Sequence, residues 1–73
     1  MRHVVERLNG GAWQEIGEIR SEQHFAPYVA ALRLAHLPGL YRVCTAGHAA
    51  HYYYEVSGRT PQEITAAEAA IMA

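Results

Sequence analysis

Asn9-Gly10-Gly11 leaves few options for the start of this chain. Asn followed by Gly accepts the positive φ angles of a two-residue hairpin turn at little steric cost. The flanking runs suit strands. Residues 3–8 carry Val4, Val5 and Leu8, and residues 12–20 carry Trp13, Ile16 and Ile19. Ile16 and Ile19 have opposite parity in a pleated strand. Gly17 between them packs nothing and adds backbone freedom, so a bulge is expected there, one that brings both isoleucines to the core face.

Ser21-Glu22-Gln23 is polar punctuation and a candidate helix cap. Pro27 is tolerated in a first helical turn, where its missing donor has no partner to lose. The spacing predicts a helix over residues 27–37, with Phe25, Val29, Leu32 and His36 in one row and Arg33 on the wet side. Pro38-Gly39 ends it. Residues 40–46 and 49–56 read as a second hairpin around Gly47-His48. Tyr41, Val43 and Thr45 alternate with Leu40, Arg42 and Cys44, while Tyr52, Tyr54 and Val56 alternate with His51, Tyr53 and Glu55. Ser57-Gly58-Arg59 leaves the sheet. Thr60-Pro61-Gln62-Glu63 has capping-box form, which predicts a final helix over 61–72 with a thin apolar row of Ile64, Ala67 and Ile71.

The expected fold is therefore α+β: a single small ββαββ domain, an antiparallel sheet with one helix on one face. Residues 1–59 form its compact part, and residues 60–73 a mobile or weakly helical tail. The expected core is Val5, Ile16, Ile19, Phe25, Val29, Leu32, Val43, Tyr52 and Tyr54. One helix covers one face of a sheet; the other face is left to water or a partner.

Composition narrows the function. At 73 residues the chain is one domain that buries roughly 60% of its unfolded surface, with little room for a deep cleft. The net charge of −1 lacks the basic excess of a phosphate-backbone binder, so nucleic acid is not expected as a direct ligand. No apolar run approaches a membrane span, and residues 1–5 lack the apolar stretch of a secretory leader. A lone cysteine, Cys44, suits a reducing cytosol. All six basic residues are Arg and all seven acidic ones Glu, and 13 residues are Ala. That bias fits the codons of a GC-rich genome, as in a high-GC bacterium or a virus growing in one. It also removes lysine nucleophiles and aspartate-based triads or magnesium sites.

Four constellations carry chemistry. Cys44, His48 and His51 have metal-ligand types, with a fourth donor to come from His3, His24 or His36, but their spacing matches no zinc motif. Cys44 with His48 as base lacks an oxyanion donor. The carboxylate pairs Glu15 with Glu18 and Glu63 with Glu68 have no apolar pocket around them and read as solvated charge. Tyr52-Tyr53-Tyr54 beside Arg42 has the residue types of an RNA-stacking sheet, without the basic excess. Neither an enzyme, nor a metal site, nor a cofactor is expected from these. The uncovered sheet face is the better candidate. Arg42, His51, Tyr53 and Glu55 line it, with Trp13 on the same side, and Trp, Tyr and Arg are the residues enriched at protein-binding hot spots. The free sheet edge offers a second route, strand addition.

The small size, single cysteine, GC-rich composition and compact sheet-plus-helix with a loose tail resemble phage-encoded host-takeover proteins, specifically small inhibitors of bacterial RNA polymerase. The resemblance covers length, composition and layout. Asn9-Gly10-Gly11, Pro38-Gly39 and Thr60-Pro61-Gln62-Glu63 are structural punctuation within it and carry no family site residue. It implies a stoichiometric, non-enzymatic regulator in the host bacterial cytoplasm, one that binds host RNA polymerase, inhibits transcription and can promote antitermination. Alternatives in view are an anti-CRISPR-type inhibitor of a bacterial assembly, or a small RNA-binding or metal-binding accessory domain.

Overall fold

A computed structural model describes residues 1–23, 25–58 and 60–73. Strands β1 (Arg2–Asn9) and β2 (Ala12–Arg20) form the first hairpin. Gly10 and Gly11 both hold positive φ, 60° and 82°, as a two-residue turn of this hand requires. The register slips between Val5 and Glu6: Val5 faces Gly17, Glu6 faces Glu15, and Ile16 is the extra residue. The bulge falls where the sequence places it. Gly17 has a second role there. A Cβ at this position would sit 3.2 Å from Leu34 Cδ1, so the glycine lets the helix approach.

That helix, α1 (Ala26–Leu34), packs over β1, β2 and β3 (Gly39–Thr45). It is shorter than the predicted 27–37 and presents a different face. Its buried residues are Ala26, Ala30 and Ala31, with Leu34 partly buried. The expected row of Phe25, Val29, Leu32 and His36 is not the packed one. Phe25 is 71% exposed and Leu32 47%. Val29 is half-buried and His36 exposed. The sheet explains this. It contributes Tyr41, Tyr54, Val43, Val5 and Val56 to the core. Rings that large fill the space beneath the helix, which then meets them with alanine rather than leucine. The helix stops because Ala35 leaves the helical region (φ −85°, ψ 87°). Tyr41 then secures the following turn, its hydroxyl donating to Leu37 O at 2.6 Å. Ile16 is also exposed, at the sheet rim, rather than in the core.

β4 (His51–Val56) pairs with β3, and Tyr41 faces Tyr54 while Val43 faces Tyr52. The chain then departs from the predicted 61–72 helix. Residues 62–64 form β5 (Gln62–Ile64), paired with β4, and α2 (Ala66–Met72) follows. The sequence holds two T-x-x-E matches, and the second is the working cap. Thr65 Oγ1 accepts from Glu68 N, and the Glu68 carboxylate accepts from Thr65 N, both at 3.1 Å. Pairing of Ile64 with Tyr53 and of Glu63 with Tyr54 outweighs the first match. Residues 60–73 thus supply a fifth strand and a second helix to the same α+β domain. The sheet order is β2-β1-β3-β4-β5, antiparallel throughout. Arg59 and His24 lie outside the described residues.

Candidate protein-binding face

Strand alternation and register assign every side chain of the face opposite α1. One row across the sheet runs Glu15, Glu6, Arg42, Tyr53, Ile64. The next holds Trp13 and Leu8, then Leu40 and Glu55. On the other side, Cys44 faces His51. All five residues expected to form the contact surface, Trp13, Arg42, His51, Tyr53 and Glu55, therefore share one face, and each is half-buried.

Three of them interlock. Arg42 Nε donates to Glu6 Oε1 at 2.7 Å, with both side chains about one-fifth exposed (23% and 22%). The same guanidinium lies 4.4 Å from the centroid of the Trp13 ring. Trp13 and Tyr53 come from strands separated by two others, yet their rings meet edge to face, centroids 6.1 Å apart and planes at 63°. They reach each other over β1 and β3. A planar cation held on one side by a carboxylate and on another by an indole is fixed with little rotamer freedom left. His51 stands beside Tyr53 at 6.2 Å between centroids. Glu55 shares the face and joins no ion pair among the described residues.

This face is not open, as a single-helix fold would leave it. α2 lies across it, and Ala66, Ala69, Ala70 and Ala73 line a hollow of about 200 Å³ with Trp13 and Tyr53. Ala69 is the buried residue of that helix, whereas Ile71 and Met72 point outward. Sequence inspection missed Glu6 and α2 as parts of the site. Glu6 was findable, since it has the opposite parity to the core residue Val5. The position of α2 was not, because its contact residues are alanines.

The other constellations resolve as follows. Tyr52 and Tyr54 face α1, and Tyr54 is 2% exposed, so the three tyrosines do not form one stacking array. Burial, with the Glu63 carboxylate beside it, pushes the Tyr54 hydroxyl well above the ordinary tyrosine range. Cys44 meets His51 across the strands, not His48, which is exposed in the turn. His3 is buried on the α1 side, its Nδ1 3.0 Å from Thr45 Oγ1. Among the described residues no three His, Cys, Asp or Glu side chains converge. Glu18 pairs with Arg2, and Glu68 caps α2.

Fold and face together define a small α+β domain whose concentrated polar-aromatic cluster sits on a sheet half-covered by a short helix. Compared with known proteins, the chain matches no family model, no curated protein and no solved structure. None of its described helices is long and apolar enough to cross a membrane.

Proposed function

We propose that this chain acts by stoichiometric binding to a protein partner, through the face built from Trp13, Arg42 and Tyr53. The observation that carries the reading is the Glu6–Arg42–Trp13–Tyr53 cluster. It concentrates the three hot-spot residue types in one pre-ordered patch, where little side-chain entropy remains to be lost on binding. We further propose that the partner is bacterial RNA polymerase and that the chain is a phage-encoded inhibitor of transcription in the host cytoplasm. That sharper reading rests on the resemblance in length, composition and layout. The test is co-elution of the purified chain with purified RNA polymerase holoenzyme on gel filtration. Wild type is expected to co-elute at one chain per enzyme, and a folded Arg42→Ala, Tyr53→Ala variant to elute alone. Free elution of the wild type at micromolar concentration would remove the polymerase reading. Equal co-elution of the variant would remove this face.

A further inference from the structure

On the opposite side of the sheet, where β4 and β5 meet the start of α1, lies a second hollow of about 250 Å³. Its lining is Phe25, Pro27, Tyr28, Tyr52, Tyr54 and Glu63. Four of these six residues are aromatic. The Tyr28 and Tyr54 rings are tilted by 58° with centroids 6.2 Å apart, so they form two walls rather than a stack. Glu63 is brought beside Tyr54 by the β4–β5 register. Its carboxylate forms no ion pair among the described residues. Phe25 lines the exposed side of the hollow with its backbone left-handed (φ 63°), a conformation that bulky side chains disfavour. The chain thus places a large ring, in a backbone conformation it disfavours, in the wall of the hollow.

Aromatic faces carry negative potential, and several of them around a carboxylate make a place for a cation whose hydration is weak. A bare lysine ammonium is strongly hydrated and gains little in an open hollow. Methylation keeps the charge, sheds the hydration and adds apolar surface that the rings can cover.

We propose that this hollow binds a methylated ammonium group, presented as a methyl-lysine side chain on a protein partner. A choline lipid offers the same head group. Its phosphate, however, would come close to the Glu63 carboxylate, and like charges disfavour that arrangement. The site is separate from the Trp13 face and does not depend on it.

The experiment is an NMR titration of the full chain with the acetylated, amidated amino acid Nε-trimethyllysine. Its neutral tert-butyl isostere and unmethylated lysine serve as controls. Shifts confined to Phe25, Tyr28, Tyr52 and Glu63 are expected, with trimethyllysine at least about tenfold tighter than the neutral isostere, the range that cation–π contacts supply when partly desolvated. Tyr52→Leu and Glu63→Gln, each with an otherwise unchanged spectrum, are expected to weaken binding several-fold. The Arg42→Ala, Tyr53→Ala variant is expected to bind as wild type does. Equal affinity for the neutral isostere would overturn the cation reading. Absence of shifts at millimolar ligand would overturn the site. Tighter binding to phosphatidylcholine vesicles than to the amino acid would overturn the protein source.

Discussion

Arg42 shows how one residue becomes legible only in its surroundings. Alternation places it on the outer face, and the sequence says no more. The register adds Glu6 across the strand, and the hairpin brings Trp13 above it. His3 is the opposite case: a polar residue among strand formers that is fully buried, satisfied at one nitrogen by Thr45 and, among the described residues, without a partner at Nε2. Nothing in the sequence marks it as core, because burial of histidine depends on a partner 42 positions away. Replacing Thr45 with Val keeps the shape and removes that partner. A loss of about 1–3 kcal/mol in chemical denaturation is expected, the usual cost of leaving a buried polar group unpaired. Tyr54 gives a pH signature. Its hydroxyl is harder to ionise when folded than when unfolded, so this group stabilises the native state fully below the unfolded value of about 10. That contribution is lost as pH rises through the native value. Tyr54→Phe should flatten the alkaline limb of a stability–pH curve followed by circular dichroism, and an unchanged limb would assign it to other groups.

The β-hairpins were readable because turn residues and alternation are strong local signals. Asn9-Gly10-Gly11 and the two faces of β3 and β4 appear as read, and the register slips beside Gly17, but it leaves Ile16 exposed instead of bringing it to the core. The helices were harder. Around α1 the heavy residues Phe25, at its N-cap, and Leu32 dominate any apolar pattern, yet tertiary packing selects the alanines because tyrosines already fill the sheet side. Leu32→Ala is therefore expected to cost less than about 1 kcal/mol, as for a half-exposed side chain. Ala31→Leu, by contrast, should overpack the core and cost about 1–3 kcal/mol or more. Thermal melts of the two variants decide which face is buried, and the reverse order would restore the Phe25–Leu32 row. At the other end, α2 has seven residues, a good cap and one buried side chain. Short helices with so little packing open easily. Amides from Ala66 onward should exchange with deuterium faster than those of β1 and β3. Equal protection would show α2 firmly docked on Trp13 and Tyr53.

Two helices on opposite faces of a five-stranded sheet make the whole molecule lopsided. α1 closes a conventional core, whereas α2 places a small alanine surface over the polar-aromatic cluster. The five residues expected to share a face do so, and the sequence made that visible through parity alone. The partial cover by α2 was invisible, since its alanines carry no directional signal. On the proposed reading, a partner reaches the Trp13–Arg42–Tyr53 cluster by displacing α2, whose contacts with it are made by alanines. The most direct measurement is a titration of promoter open complexes formed by bacterial RNA polymerase holoenzyme. Open complexes should fall in proportion to bound chain and saturate at one chain per polymerase. The folded Arg42→Ala, Tyr53→Ala variant should need at least about tenfold more protein, since each hot-spot truncation costs upwards of 1 kcal/mol. Open complexes unchanged at micromolar wild-type chain, or reduced equally by the variant, would contradict it.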